Sequence, residues 1–382
     1  MRIAQVAPLY ERVPPVYYGG TERIVSYLTE ELIQQGHELT LFASGDSLTK
    51  ANLIAPCERS LRLNPECNDY LAYYFLQLEQ VFQRATTFDI IHFHIDYMHF
   101  PFSRRNGTPN MTTLHGRLDF PELIPLFREF IEMPVVSISN AQKKPLSWIN
   151  WQGTVHHGIP LELYQLKKNR GSYLAFLGRI SPEKRLDRAI EIAKRFGMTL
   201  RIAAKVDPVD RAYMESEIRH LLDHPLVEFI GEIGEAEKRD FLSNAYALLF
   251  PIDWSEPFGL VMIEAMACGT PVVAYRQGSV PEVIDDGVTG FLVESIEESV
   301  QALDKIQYFD RQRCRQVFEE RFSAARMAGD YLKIYNKLLP TQTRRAIVRS
   351  KNPLAKAAKI AGTGSGETAG SSPSLASASD DS

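Results

Sequence analysis

The sequence has few cysteines and no long apolar run. Its four cysteines (Cys57, Cys67, Cys268, Cys314) are scattered, with no Cys-x-x-Cys pair and no histidine at zinc-finger spacing. This usage favours a reducing, cytoplasmic compartment. The longest apolar runs, such as residues 246–252, are strand-sized, far short of the roughly 20 residues that span a bilayer. The N-terminus also lacks the apolar stretch and cleavage site of a secretory signal, so we expect a soluble cytoplasmic protein.

Positive charge is not in excess either. Lys and Arg number 43 against 47 Asp and Glu, which leaves a net charge of -4 at pH 7. Binding to DNA or RNA requires a basic face, so we expect no nucleic-acid partner. Hydrophobic residues make up 45% of the chain and charged residues 24%, as in ordinary globular proteins. The 382 residues are too many for one ordinary core and suit two α/β domains.

Strand-like and helix-like patterns alternate along most of the chain, which predicts parallel β-sheets covered by helices. The series restarts after a polar, basic stretch at residues 165–171. We therefore predict an α/β protein of two Rossmann-like domains, with a functional cleft at the carboxyl ends of their strands. The expected strands are residues 3–7, 38–43, 89–94, 110–114, 135–139, 173–177, 199–204, 227–230, 247–251 and 270–274. The expected helices are residues 21–35, 182–196, 207–222, 236–245, 258–268, 294–308 and 311–339.

The most informative segment is residues 251–271, where a strand leads into a loop with Trp and Pro and the loop opens an apolar helix. The first N–H groups of that helix, around Phe258, Gly259 and Leu260, have no intrahelical acceptor. They can therefore bind phosphate, assisted by the positive end of the helix dipole. Gly259 has no Cβ and permits the close approach of a ligand.

Two glutamates, Glu256 and Glu264, stand at this helix with seven residues between them. Glu264 lies more than a turn into an apolar helix, and a carboxylate at such a depth needs a partner. The paired hydroxyls of a ribose would satisfy it. The alternative is that Glu264 meets a core arginine or a backbone amide, and that Glu256 is only a first-turn carboxylate favoured by the helix dipole.

A second group of residues follows the first strand of the second half. Arg179 and Lys184 lie five residues apart across a strand-to-helix turn, with Ser181 as a candidate N-cap and Pro182 at the first helical position. If both cations reach the cleft, they can neutralise a diphosphate leaving group as it gains charge. No Asp-x-Asp, the usual holder of a catalytic divalent metal in many glycosyltransferases, occurs in the sequence. Solvent-exposed cations at the start of a helix are the alternative.

His92, His94, Asp96 and His99 resemble a metal-binding cluster in the sequence. His92 and His94 alternate along a strand and so share one face, which leaves a role near the acceptor open. Nothing else in the sequence supplies further ligands at a recognisable spacing, so no metal site is expected.

Several classes of protein are built from two Rossmann-like domains or bind nucleotides on such a domain, and the motifs must distinguish them. A dinucleotide-binding protein needs Gly-x-Gly-x-x-Gly directly after the first strand, whereas the first paired glycines here are Gly19 and Gly20. A sugar-nucleotide epimerase remains the closest rival enzyme. A catalytically inactive sugar-nucleotide sensor is a third class, and the intact Glu256, Arg179 and Lys184 argue against it.

With these motifs in place, residues 1–340 resemble glycosyltransferase family 4, whose members are retaining enzymes of the GT-B fold. The resemblance implies that Glu256 faces the donor sugar, that Glu264 holds the ribose and that Arg179 with Lys184 binds the diphosphate. It also implies that Gly20 covers the donor from the opposite domain, and that His115, at a strand end, contacts the sugar near the reacting centre. A glycine-rich turn common in the family is replaced by residues 203–205 here, which leaves the nucleotide open.

The reaction implied is transfer of a hexose with retention of configuration, without metal or cofactor, to an unidentified acceptor. UDP-glucose is the first choice of donor and GDP-mannose the second. We expect an acceptor-side domain at residues 1–165, a donor domain at residues 166–320 and a helix at residues 321–340 that crosses back to the first domain.

The C-terminal end differs in composition from the rest of the chain. Residues 360–382 are dominated by Gly, Ser, Ala, Thr and acids, which predicts a disordered tail over about residues 341–382. Residues 333–359 carry eight basic side chains. We expect a solvated helix end there, with weak peripheral contact to an anionic membrane as the alternative.

We predict that transfer activity survives full chelation, because Arg179 and Lys184 take the part of a metal. Activity is measured in excess EDTA, with and without added magnesium or manganese. Loss of turnover in EDTA that either metal restores would contradict this prediction.

Overall fold

The structure is a computed structural model that describes residues 1–340. The expected tail, residues 341–382, lies outside the described residues, as does most of the basic segment. No helix within residues 1–340 has both the length and the apolar character needed to cross a membrane.

The first half of the chain forms a seven-stranded parallel sheet in the order β3-β2-β1-β4-β5-β6-β7. The inner strands β4 and β6 are buried along their whole length, as expected for a sheet with helices on both faces. The strands are β1 (Arg2–Val6), β2 (Glu38–Phe42), β3 (Asn52–Ile54), β4 (Ile90–Phe93), β5 (Asn110–Thr113), β6 (Val135–Ser137) and β7 (Trp151–Thr154).

The second half forms a six-stranded parallel sheet in the order β10-β9-β8-β11-β12-β13. The strands are β8 (Tyr173–Arg179), β9 (Leu200–Lys205), β10 (Val227–Gly231), β11 (Ala245–Phe250), β12 (Val272–Tyr275) and β13 (Gly290–Val293). The predicted pair of Rossmann-like α/β domains is confirmed. The expected boundary near residue 165 falls between β7 and β8 and stays a prediction.

Helices connect the strands of both sheets. They are α1 (Gly20–Gln34), α2 (Tyr70–Gln83), α3 (Phe100–Ser103), α4 (Leu123–Glu129), α5 (Asn140–Lys143), α6 (Leu186–Phe196), α7 (Arg211–Tyr213), α8 (Glu235–Ser243), α9 (Leu260–Ala267), α10 (Val280–Val283), α11 (Ile296–Lys305), α12 (Arg311–Arg321) and α13 (Ala324–Leu338). The sequence patterns missed the short strands β3, β7 and β13, because three or four residues are too few to display a period. They also missed the 14-residue helix α2 and the shorter helices α3, α4, α5 and α10.

Three expected helices are interrupted. The helix predicted at 182–196 is a 3-10 turn followed by α6, because Arg185 adopts left-handed backbone (φ 53°) and binds Asp187 and Asp253 with its guanidinium. The helix predicted at 207–222 is a succession of 3-10, α and π turns.

The helical pattern predicted at 311–339 breaks at residues 322–323 into α12 and α13, and α13 is the separate helix expected within residues 321–340. There the backbone pairs instead with Ile159, whose N–H donates to the Phe322 carbonyl at 2.8 Å and whose carbonyl accepts from Ala324 N–H at 2.9 Å. This pairing ends α12 and sets the start of α13 beside the segment that follows β7.

Helix α13 packs on the first sheet although it follows the second sheet in sequence. Its buried Met327, Tyr331 and Tyr335 belong to the same apolar cluster as Ile3 and Ile24. The backbone at Gly158 lies so close to the start of α13 that a Cβ at Gly158 would overlap the backbone carbonyl of Ser323.

We predict that Gly158→Ala lowers the free energy of unfolding by about 1–3 kcal/mol, the usual cost of overpacking. Gly107→Ala is the matched control, because its Cβ would meet no atom within 4 Å. Thermal melts of both variants test this. Equal melting temperatures would show that α13 does not need this contact.

Candidate active site

A cleft of about 510 Å³ lies where both sheets present the carboxyl ends of their strands. Its volume is within the range of small-molecule sites. His115 lines it from the first domain, and Arg179 and Glu256 line it from the second. The cleft also brings together the other residues predicted from sequence, namely Gly20, Lys184, Phe258, Gly259, Leu260 and Glu264.

The end of the cleft that the sequence predicts to bind an anion is the start of α9. The helix begins at Leu260 rather than Phe258, because Gly259 takes left-handed backbone (φ 78°). A Cβ on Gly259 would lie 2.8 Å from Cε of Met262, the movable end of that side chain, so it is mainly the backbone conformation that favours glycine here. The free N–H groups of the first helical turn therefore open into the cleft. Gly20 lies opposite, where a Cβ would be 3.5 Å from Leu260 Cδ1.

Arg179 stands at the end of β8, surrounded by carboxylates. It pairs with Glu183 and lies 3.6 Å from Asp207 and 3.3 Å from Asp210. Lys184 pairs with Glu256, and its Nζ lies 5.2 Å from the Trp254 ring. Both cations reach the cleft, where a diphosphate would compete with these carboxylates for them.

Glu256 is held in place by side chain and backbone. Its carboxylate accepts hydrogen bonds from Lys184 Nζ and from Trp254 Nε1, the latter at 3.0 Å. Its carbonyl accepts from Ser279 N–H at 3.0 Å. Side chain and backbone are thus both anchored, which gives the carboxylate one defined position beside the cleft.

Glu264 has a cationic partner from the protein. Lys238 Nζ, on α8, donates to Glu264 Oε1 at 2.5 Å and lies 3.3 Å from Glu235. Glu235 in turn pairs with Arg23, which belongs to α1 of the opposite domain. The result is a chain of alternating charges that crosses the cleft. The alternative interpretation gives Glu264 a core arginine or a backbone amide as its partner, whereas the structure gives it a lysine.

Burial alone would raise the pKa of Glu235, but Lys238 and Arg23 outweigh it and hold that pKa below its usual value. Sequence reasoning missed Arg23, Glu235 and Lys238. Their signal was weak, since charged residues near helix starts are usually solvated.

The loop that contains Tyr17 and Tyr18, before α1 in the first domain, lines the cleft. Lys205 Nζ, at the end of β9, lies 3.7 Å from the centre of the Tyr18 ring, and Tyr18 N–H donates to Glu232 at 3.2 Å. Arg23 donates to the Tyr17 carbonyl at 2.7 Å, which ties the loop to α1. Ala203 and Ala204, which stand where the family commonly has a glycine-rich turn, also line the cleft.

His115 follows β5 and lines the cleft from the first domain. Burial lowers its pKa to about 3, so the imidazole is neutral at pH 7. Its Nε2 lies 2.9 Å from His94 Nδ1, and its ring stacks on His157 with centroids 5.4 Å apart.

His92 and His94 do not converge on a common point with Asp96 and His99. Both rings are instead hydrogen bonded to side chains of β1, β5 and α13. No three His, Cys, Asp or Glu side chains in the described chain are arranged to hold a metal ion.

Two family models match the chain: glycosyltransferase family 4 over residues 18–152, and glycosyl transferases group 1 over residues 164–317. The chain belongs to glycosyltransferase family 4. The first matched stretch contains β2 to β6 and the start of β7, and the second contains β8 to β13. The resemblance inferred from the motifs is confirmed.

Curated relatives of this family 4 chain include α-maltose-1-phosphate synthase of Mycobacterium tuberculosis, 30% identical over an alignment of 187 residues that covers 43% of this chain and 47% of the relative. D-inositol 3-phosphate glycosyltransferase of Mycobacterium leprae is 33% identical over an alignment of 162 residues that covers 36% of each chain. The chain spans about half the length or less of the curated relatives it matches.

Solved structures share the fold. Sucrose-phosphate synthase from Thermosynechococcus elongatus superposes with a TM-score of 0.71 at 18% identity, covering 88% of this chain and 99% of that one. Anabaena HepE in complex with UDP-glucose has a TM-score of 0.66 at 17% identity, covering 88% and 100%. These likenesses confirm the GT-B fold of the family 4 chain.

A buried carboxylate in the cleft makes stability depend on pH. Glu22 lies in the first turn of α1, and burial raises its pKa to about 7. A raised pKa means that the folded state holds the Glu22 proton more tightly than the unfolded state does. Proton binding at Glu22 therefore contributes fully to the stability of the fold below about pH 4.3, and this contribution is lost as the pH rises to about 7.

We predict that Glu22→Gln stabilises the protein at pH 8 by about 1–3 kcal/mol and has little effect at pH 4.5. Melting temperatures at the two pH values test this, with the exposed Glu38→Gln as control. An effect of equal size at both pH values would contradict the assigned cause.

Proposed function

We propose that this chain is a retaining glycosyltransferase, which transfers a hexose from a nucleotide sugar to an acceptor hydroxyl without a metal ion. The observation that carries the proposal is the convergence, in one cleft, of the α9 N-terminus, two cations and a buried carboxylate, opposite a neutral histidine. Each group matches one part of a nucleotide sugar.

The diphosphate would lie against the start of α9, within reach of Arg179 and Lys184. Negative charge grows on the diphosphate as the sugar bond breaks, and fixed cations with free N–H groups stabilise that charge. In the structure both cations are paired with carboxylates, so they are already held in the cleft and do not have to be ordered on binding.

The sugar would lie between Glu256 and His115. Neither group is suited to remove a proton from the acceptor: His115 has a pKa of about 3, and Glu256 is engaged by Lys184 and Trp254. A general base works best with a pKa near the operating pH. This supports a mechanism in which the departing phosphate oxygen takes the acceptor proton on the same face of the sugar, which gives retention.

UDP-glucose is the first donor to test and GDP-mannose the second. The fold is shared with a protein that binds UDP-glucose. The acceptor would enter from the first domain, near the loops after β1 and β4.

A screen of nucleotide sugars tests the proposal. We expect UDP-glucose to raise the melting temperature of the full chain and to be hydrolysed slowly without an acceptor, yielding UDP and glucose. Conversion of the nucleotide sugar into an epimer, with no release of nucleoside diphosphate, would establish the epimerase instead. Stabilisation without any turnover, even with acceptors supplied, would indicate a sensor.

We predict that Glu256→Gln and Glu264→Gln separate catalysis from binding. Glu256→Gln should lower kcat by about 10²- to 10³-fold, because its contact strengthens as the sugar gains charge. Its affinity for UDP should be unchanged or higher, since Lys184 loses a competing carboxylate. Glu264→Gln should weaken UDP binding about tenfold or more, the size of a lost hydrogen bond to a charged group.

Calorimetric titration with UDP measures the second effect directly. Lys238→Met is the matched control, since it removes the protein partner of Glu264 and keeps the carboxylate. Unchanged UDP affinity in Glu264→Gln, together with a lower melting temperature in both variants, would assign Glu264 to the ion pair alone.

A further inference from the structure

A row of buried polar side chains runs through the first domain and ends at His115. Its members come from β1, β4, β5 and α13, and each is 2% exposed or less, apart from His115 itself at the cleft. They are Gln5, His92, His94, Thr113, Tyr331 and Tyr335. Such groups are buried only with hydrogen-bond partners, and here the partners are one another.

The donor and the acceptor of each hydrogen bond in this row follow from those of its neighbour. Thr113 donates to Tyr331 Oη at 3.0 Å, so its oxygen accepts from His92 Nε2 at 2.7 Å. His92 then has a lone pair on Nδ1, which accepts from the Tyr335 hydroxyl at 2.7 Å. The oxygen of Tyr335 is left to accept from Gln5 Nε2 at 3.2 Å.

The Gln5 amide determines which nitrogen of His94 carries a hydrogen. With its amide nitrogen on Tyr335, its Oε1 faces His94 Nε2 at 2.7 Å, and a carbonyl oxygen only accepts. His94 Nε2 must therefore carry the hydrogen. Burial lowers the pKa of His94 well below its usual value, so the ring is neutral and its Nδ1 holds a lone pair. That lone pair meets His115 Nε2 at 2.9 Å, which must then be the donor.

We infer that Gln5 and His94 are positioning residues that hold His115 as its Nε2–H tautomer, so that Nδ1 meets the ligand in the cleft as a hydrogen-bond acceptor. None of the hydrogen bonds found within residues 1–340 uses Nδ1 of His115, and the residue lines the cleft. The second nitrogen of a histidine commonly sets the tautomer of the first in this way.

The tautomer determines which sugars fit. A neutral Nδ1 can accept from a hydroxyl group, but it faces a carboxylate or a phosphate oxygen lone pair to lone pair. The chain would therefore select a donor sugar with a hydroxyl at this point and reject one with an anionic group. This selectivity rests on the proposed function, whereas the tautomer itself does not.

Nitrogen NMR of the full chain labelled at its histidines tests the tautomer without any substrate. A protonated and an unprotonated ring nitrogen have well separated shifts, and a His115→Gln spectrum assigns the signal. We expect Nε2 to be protonated and Nδ1 unprotonated, with no titration between pH 6 and 9. An Nδ1-protonated or a titrating His115 would overturn the inference, whether or not the chain transfers sugar.

Two substitutions at His94 distinguish positioning from packing. In His94→Gln the amide can donate to Gln5 and accept from His115, so the tautomer should be kept. In His94→Leu the acceptor is gone and the Nδ1-protonated form should appear. His99→Leu is the matched control, since His99 is equally buried in the same domain but has no hydrogen bond with His115.

If the screen identifies a donor, turnover gives a second readout. We expect His94→Leu to lose about 10- to 100-fold in kcat, the loss typical when the outer partner of a metal-ligating histidine is removed, with His94→Gln restoring most of it. Equal losses in His94→Leu, His94→Gln and His99→Leu would assign the row to stability alone. If His94→Leu does not fold, Gln5→Met removes the same constraint one step further from the cleft.

Discussion

Parallel strand direction is the constraint on which the rest of the structure depends. In a parallel sheet every strand ends at the same edge, and helices must return the chain to the opposite edge. The carboxyl ends of β1, β4 and β5 therefore lie together in one domain, and those of β8, β9 and β11 lie together in the other. Residues more than 100 positions apart, such as His115 and Glu256, reach one cleft without any local sequence signal that joins them.

Charge pairing determines how that cleft is held before a ligand arrives. Burying an isolated charge is costly, and the charges here meet partners of opposite sign. Lys184 pairs with Glu256, and Glu264 continues through Lys238 and Glu235 to Arg23 on the opposite domain. The second chain of charges links the proposed ribose site to α1, so the two domains are connected at the point where the nucleotide would bind.

Helix α13 contributes to the cleft without touching it. Tyr331 and Tyr335 begin the row of hydrogen bonds that ends at His115, and the same helix fills the apolar cluster under β1. A segment that follows the second domain in sequence thus stabilises the first domain and orients a side chain of the site. The close approach of Gly158 to Ser323 sets the position from which α13 starts.

Much of the fold and part of the site could be predicted from the sequence, because both depend on local patterns. Alternating apolar strands and amphipathic helices are repeated often enough to predict two parallel sheets. The loop, Gly259 and the apolar helix after it form a contiguous pattern typical of phosphate sites. Phe258, Gly259 and Leu260 are therefore predicted together with Glu256, and all four line one cleft.

Only the tertiary structure decided what each charged or polar side chain meets. Lys238 as the partner of Glu264, Arg23 as the link across the cleft, and Gln5 as the origin of the His115 tautomer all depend on contacts between distant segments. Their residue types are common on solvated surfaces, so no spacing marks them in the sequence. The same holds for the break between α12 and α13, which results from pairing with Ile159 rather than from any helix-breaking residue. The periodicity of apolar residues in the sequence therefore determined the prediction of the two sheets. The contact partners of the buried charged and polar side chains depend on which distant segments pack together, and only the tertiary structure shows this.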